Sequence, residues 1–197
     1  MSRVNGTASQ HRPGKSQSCL SSCLVEILMA LIVIGLVLLM LATVVKPDFP
    51  FSAGCQVNPS YPQKVFRWCG LITHYAEETG LEPDLVAALI LQESGGSSEI
   101  ISHSGAVGLM QVMPRDGLAA KFVCRGQPCF SDRPTSRELR DPAFNIQYGT
   151  QLLRNLIEFY NGDMREALRA YGPMDVGYHY ADTVIALYYR YSPVSQK

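Results

Sequence analysis

The hydrophobic and polar positions divide the chain into a long apolar run near the N-terminus and, after it, a series of segments with the periodicity of amphipathic helices. The run extends from Ile27 to Val45 without a charged residue, which is long enough for a helix to cross the hydrocarbon core of a membrane. After about residue 62, apolar residues recur at helical spacing, and no stretch alternates as a strand would. The pattern predicts a mainly α protein, with a helical domain behind a single N-terminal transmembrane helix.

The most informative of these segments is a short predicted helix that begins near Pro83 and ends at Gly95 and Gly96. Proline suits the first turn of a helix, and glycine commonly follows the last. Its apolar positions form one stripe: Leu85, Val86, Leu89 and Ile90. Glu93 lies four residues after Leu89, so the helical period places its carboxyl group on the apolar face. If the register drifts by one residue, Glu93 is instead a surface residue near a helix end.

An acid on an apolar face has an unusual proton affinity. Poor solvation and the negative end of the helix dipole both disfavour the carboxylate of Glu93, and both raise its pKa. A carboxylic acid that keeps its proton near neutral pH can donate it to a leaving oxygen atom. The sequence therefore makes Glu93 a candidate general acid.

Four further helices are predicted. Three begin at or next to Gln63, Asp141 and Asp163, and the last contains Tyr180. Residues 95–107 form a loop rich in glycine and serine that is suited to lining a cleft. Residues 115–140 are charged and contain proline, which predicts a long excursion over that cleft.

The distribution of basic residues predicts the topology of the apolar run. Arg3, Arg12 and Lys15 precede it, whereas Lys46 and Asp48 nearly cancel after it. By the positive-inside rule, the N-terminus is cytoplasmic and the helical domain is exported. This predicts a single-pass protein of the inner membrane with a periplasmic domain.

Alternatives for the apolar run are a cleaved signal peptide, a processed lipoprotein and a buried soluble helix. The run is longer than a usual signal sequence, and the residues around Ser52 and Cys55 match processing sites poorly. The predicted divisions are a disordered cytoplasmic tail (1–23), a membrane anchor (24–46), a linker (47–61), the helical domain (62–191) and a C-terminal tail (192–197).

Composition narrows the classes of protein and site. Seventeen basic residues balance seventeen acidic ones, so nucleic acid is not an expected partner. Four cysteines lie on the exported side, which favours disulfides: Cys55, Cys69, Cys124 and Cys129. Three pairings are possible, and proximity in sequence favours 55–69 with 124–129. The histidines are too scattered for a metal site, and no cofactor is expected.

Several motifs occur in an order and spacing typical of one family. They are Gln92-Glu93-Ser94-Gly95; Ser104 to Gln111 with Met113-Pro114; Asp141-Pro142 with Asn145, Gly149 and Leu153; Ala170-Tyr171; and Tyr180 with Val184. Over residues 62–191 the chain resembles the lytic transglycosylase domain of the soluble lytic transglycosylase type, in the goose-type lysozyme-like superfamily. The resemblance implies a lysozyme-like fold and cleavage of the β-1,4 bond between N-acetylmuramic acid and N-acetylglucosamine.

The resemblance also implies roles for individual residues. Glu93 matches the single catalytic acid and base, which yields a 1,6-anhydro product without water. Substrate-binding roles are implied for Ser94, Gly108, Leu109, Met110, Gln111, Asn145, Tyr171 and Tyr180. Ser94 would polarise the N-acetyl group or hold Glu93. The chain has Gly172 where the family commonly has asparagine, which puts the affinity for sugar in doubt.

The expected partners are peptidoglycan glycan strands, the inner membrane through one helix, and a secretion, conjugation or pilus machine that needs local opening of the wall. A hydrolysing lysozyme of the goose type is an alternative enzyme. A non-catalytic wall-binding scaffold and a partner-docking module are alternatives without activity.

Overall fold

The computed structural model describes residues 26–36, 54–173 and 175–192. The chain divides into two compact units, Met1–Phe49 and Pro50–Lys197. In the first unit, residues 26–36 are helical (α1). No helix among the described residues is both long and apolar enough to cross a membrane. The predicted tail and much of the predicted anchor lie outside the described residues, so both stay predictions.

The second unit is mainly helical, which confirms the predicted fold class at that level. Its helices are α2 (Gln63–Phe66), α3 (Cys69–Thr79), α4 (Pro83–Ser94), α5 (Pro142–Phe159), α6 (Met164–Tyr171) and α7 (Tyr178–Tyr191). Two short 3-10 turns, Ala119–Lys121 and Glu138–Arg140, lie in the excursion. Between them, β1 (Val123–Cys124) pairs antiparallel with β2 (Gln127–Pro128), a two-stranded hairpin that the sequence did not predict.

Helix α4 is the centre of this unit. Every residue from Leu85 to Ile90 is at most 2% exposed, so the helix is buried on nearly all sides and not along one stripe only. It packs against α2, α3 and α7. Gly95 closes it in the left-handed conformation, with φ of 60°. Such a helix is a rigid support for whatever its last turn carries.

The structure refines the boundaries of the other elements. The helical pattern predicted from Gln63 is broken between α2 and α3. Residues 54–61, part of the predicted linker, pack onto the helices: Val57 and Tyr61 are each 3% exposed, and the Tyr61 hydroxyl donates to the Asp84 carbonyl at 2.8 Å. This part of the predicted linker therefore belongs to the folded unit.

Both favoured disulfides are present, Cys55–Cys69 and Cys124–Cys129. The first joins the segment before α2 to the start of α3, and the second closes the β1–β2 hairpin. Asp163 is the N-cap of α6, because its carboxylate oxygen accepts from the Glu166 amide at 3.0 Å.

Gly149 on α5 allows a loop to approach the helix closely. A Cβ atom at this position would lie 2.6 Å from the sulfur and 2.7 Å from the Cβ of Met110. The structure thus assigns this glycine a role in packing. Met110 itself is fully buried, so it has no free side on which to move away.

We expect Gly149→Ala to lower the free energy of unfolding by about 1–3 kcal/mol, the usual cost of overpacking. Urea unfolding of the whole chain measures it. Asn155→Ala, on an exposed face of the same helix, is the control and should change stability by less than about 0.5 kcal/mol. Equal stability of Gly149→Ala and the wild type would show that the contact can relax.

Candidate active site

Glu93 lies in the last turn of α4 and is half-buried. Its carboxyl group accepts a hydrogen bond from the hydroxyl of Tyr180, which α7 contributes. Tyr180 is 6% exposed. The predicted orientation of Glu93 toward the apolar interior is therefore what the structure shows, and two helices far apart in sequence meet at this carboxyl group.

Burial determines the proton affinity of Glu93. Loss of solvation raises the pKa of its carboxyl group from 4.5 to about 7, and the hydrogen bond from Tyr180 opposes the rise. Burial and the neighbouring Glu93 in turn raise the pKa of Tyr180 far above its ordinary value. At neutral pH the tyrosine therefore stays a hydrogen-bond donor, while Glu93 exchanges its proton readily.

The loop that follows α4 is held by Asn145 of α5. Its amide oxygen accepts from the Met110 backbone N–H, and its amide nitrogen donates to the carbonyls of Val107 and Leu139, each at 2.9 Å. The side chain is fully buried, so both donors and the acceptor are used inside the protein. This amide is thus an internal clamp, and the implied contact of Asn145 with substrate stays a prediction.

Gly108 is explained by the same clamp. A Cβ atom there would lie 2.5 Å from the amide nitrogen of Asn145, so the glycine admits the amide. Leu109 and Met110 are fully buried. The side chains of both therefore belong to the core, and the backbone and apolar contacts with a glycan that the resemblance implies for this loop stay predictions.

Ser94 joins the end of α4 to this loop. Its hydroxyl lies 2.8 Å from the Leu109 carbonyl oxygen and 3.2 Å from that of Ile90, and it accepts from the Gly96 amide at 3.2 Å. Because its contacts join the last turn of α4 to the loop that contains Leu109, the hydroxyl fixes this loop beside Glu93. A contact of Ser94 with substrate stays a prediction.

Gln111 occupies the turn of the loop in a conformation that side chains rarely adopt, with φ of 46°. Its amide nitrogen donates to the carbonyls of Gly108 at 2.9 Å and Ile100 at 3.2 Å. The hydrogen-bond partners of this amide nitrogen are thus carbonyl groups of the loop backbone. Unusual backbone conformations of this kind are found often at functional sites, and only the amide oxygen remains for a ligand.

Tyr171 links the loop to α6. Its hydroxyl donates to the Met110 carbonyl at 2.8 Å. Burial raises its pKa well above the ordinary value, the charge of Glu93 adds to the rise, and the guanidinium of Arg133 opposes it. The acid and a cation that the motifs did not identify thus both influence this hydroxyl.

The departure at Gly172 has a steric explanation. A Cβ atom at this position would lie 2.4 Å from Cδ1 and 2.5 Å from Cγ of Tyr180. The ring of Tyr180 thus occupies the space where any other residue would place its side chain. Gly172 follows α6, whereas Tyr180 lies in the first turn of α7. The contact therefore depends on how the chain turns between the two helices, which sequence spacing does not reveal.

Comparison with known proteins places these motifs in a family. The Transglycosylase SLT domain matches residues 70–176. The chain is similar to the endo-type membrane-bound lytic murein transglycosylase A of Cronobacter sakazakii, with 34% identity over 113 residues, 52% of this chain and 54% of the relative. It is 35% identical over 117 residues to the protein of the same name from Klebsiella pneumoniae, with the same coverage. The chain spans about half the length of these curated relatives.

Two solved structures are also similar. The lytic transglycosylase Slt from Pseudomonas aeruginosa, solved as an inactive mutant, aligns with 64% of this chain and 24% of its own, at 22% identity and a TM-score of 0.49. The 70 kDa soluble lytic transglycosylase of Escherichia coli aligns with 64% of this chain and 21% of its own, at 20% identity and a TM-score of 0.41.

The raised pKa of Glu93 predicts a pH-dependent stability. A folded-state pKa of about 7 against 4.5 means that the folded protein binds the proton more tightly. The contribution is complete below pH 4.5 and is lost as the pH rises through about 7, by roughly 3 kcal/mol in all. We expect Glu93→Gln to gain stability over the wild type by about this amount between pH 4.5 and 8.

Urea unfolding at several pH values measures the difference, and other titrating groups cancel in it. Glu99→Gln, which changes an exposed carboxyl group on the next loop, should follow the wild type. A difference between Glu93→Gln and the wild type that stays constant with pH would contradict the assigned burial of Glu93.

We expect Gly172→Ala to displace the ring of Tyr180. The free energy of unfolding should fall by about 1–3 kcal/mol, and the pKa of Glu93 should rise because the opposing hydrogen bond is weakened. Carboxyl-carbon NMR titration measures the pKa. The control Gly54→Ala has open space around its Cβ and should leave both quantities unchanged. An unaltered pKa in Gly172→Ala would show that the ring adapts without leaving the acid.

Proposed function

Because the chain belongs to the Transglycosylase SLT domain family, we propose that it is a peptidoglycan lytic transglycosylase. It cleaves the β-1,4 bond between N-acetylmuramic acid and N-acetylglucosamine and leaves a 1,6-anhydro end on the muramic acid. The observation that carries this proposal is the half-buried Glu93, with a pKa of about 7 and Tyr180 on its carboxyl group.

In the proposed reaction, Glu93 donates one proton and then takes up another, so that it ends in the state in which it began. Protonated Glu93 donates to the glycosidic oxygen, and the bond from that oxygen to C1 of the muramic acid breaks. The resulting carboxylate then removes the proton of the C6 hydroxyl, and O6 bonds to C1. A pKa near neutrality suits both steps, since the group must give and regain a proton at one pH.

Tyr180 assists this cycle by stabilising the carboxylate that forms after the first transfer. Its hydroxyl keeps its own proton because burial raises its pKa. Ser94 and Tyr171 act mainly by holding the loop of Gln111 beside the acid, and the amide oxygen of Gln111 is the group that faces the sugar.

The hydrolytic alternative requires a second carboxylate to act as nucleophile or to activate water. Glu93 owes its raised pKa to burial and not to a neighbouring acid. Asp116 is engaged by Ser136, whose backbone N–H and hydroxyl both donate to it. Asp182 is engaged by Arg165 at 2.6 Å. These contacts favour the anhydro route over the goose-type hydrolase.

We propose the inner membrane as the cellular setting. Residues 24–46 serve as an anchor in the inner membrane, with residues 62–191 in the periplasm, in agreement with the relatives being named membrane-bound. The protein opens the wall locally for a secretion, conjugation or pilus machine.

We expect Glu93→Gln to lower the release of muropeptides from purified sacculi by about 100- to 10,000-fold, the usual contribution of a general acid and base. The measurement is mass spectrometry of the products of the whole chain in detergent, with Glu99→Gln as control. Wild-type products should be lighter by one water than the products of a hydrolase. Products that carry this water would establish the lysozyme-like alternative, and equal release by Glu93→Gln would remove Glu93 from the reaction.

A further inference from the structure

Arg133 is a cation near the site that neither the motifs nor the proposed reaction uses. It is half-buried in the excursion. Its guanidinium carbon lies 6.0 Å from the ring centre of Tyr148 and 5.8 Å from that of Phe130. In the part of the chain that the structure describes, no carboxylate pairs with it. A guanidinium held against aromatic faces keeps its N–H groups available for a carboxylate.

The position of Arg133 is connected to Glu93 through the loop. Tyr148 directly precedes Gly149, on which Met110 packs, and the Met110 carbonyl accepts from Tyr171. Glu93 raises the pKa of Tyr171, whereas Arg133 lowers it. Both charged groups therefore lie near Tyr171.

A cavity of about 250 Å³ lies between α3 and α5, where Tyr148 is one of its lining residues. Besides Tyr148, it is lined by Tyr75, Glu78, Thr79, Phe144, Gln147 and Gln151. The carboxylate of Glu78 is paired with His74, and the aromatic rings and amides of the remaining surface suit a peptide that has both apolar side chains and backbone hydrogen-bonding groups.

We propose that Arg133 binds a carboxylate of the peptide stem carried by the muramic acid, and that the cavity beside Tyr148 receives the stem. The inference rests on the proposed function for the nature of the ligand. In a peptide-bearing strand the amino-sugar rings carry no charge, and the carboxylates belong to the stem. An unpaired guanidinium beside the cleft therefore complements the stem and not the sugar backbone.

The test compares two substrates with the whole chain in detergent. One is a glycan strand with its peptide stems, and the other is the strand after an amidase has removed them. Arg133→Gln should raise KM on the peptide-bearing strand about tenfold or more with little change in kcat, and should leave the peptide-free strand nearly unaffected. Arg133→Lys should recover part of the loss, because the charge is kept and the planar fork is not.

Arg137→Gln, an exposed arginine of the same excursion, is the matched control, and thermal unfolding checks that each variant is folded. An equal change on both strands, or no change on either, overturns the proposal. A second readout is independent of cleavage: binding of the free stem peptide to the protein, followed by NMR, should weaken in Arg133→Gln. If the wild type cleaves neither strand but binds the stem peptide through Arg133, the proposed function fails and this inference stands.

Discussion

The contact between Glu93 and Tyr180 is the interaction on which the rest of the structure depends. It brings the last turn of α4, a helix buried on nearly every side, against a tyrosine of α7. Two opposing effects meet there: burial raises the pKa of the acid, and the tyrosine lowers it. Because the balance falls near neutral pH, the carboxyl group can both give and take a proton. Either effect alone would leave it fixed in one state.

The surrounding loop is built so that this balance has a rigid frame. The side-chain amide of Asn145 makes hydrogen bonds to three backbone groups. Ser94, the residue after Glu93, fixes the loop to α4. Each of these polar groups is buried and satisfied, and a buried polar group without a partner is costly. The motif residues therefore fall into two groups: Glu93 and Tyr180 form the hydrogen-bonded pair to which we assign the chemistry, whereas Asn145, Gly108 and Ser94 hold the loop beside that pair.

The sequence could predict the elements and the acid but not this division of labour. Helical period placed Glu93 toward the interior, and proximity in sequence identified both disulfides. A motif, however, records only which residues recur together. It cannot separate Asn145, which is fully buried, from a side chain that faces the ligand. The break between α2 and α3 and the short hairpin depend on tertiary packing, so local periodicity gave no signal for them. Arg133 lies outside every motif and was missed for that reason.

Gly172 shows how a departure from the family pattern can be compatible with the same chemistry. The common asparagine at this position was expected to matter for sugar affinity. In this chain the space of its side chain is filled by the ring of Tyr180, which lies where a Cβ atom would be. The exchange removes a polar group that could meet the glycan and permits a close approach of the tyrosine that tunes the acid. The substitution thus changes what can hold the substrate near α6, while the contact that controls the proton is kept. In the proposed function, recognition then comes from other groups, and the cation beside Tyr148 is one that the described structure offers.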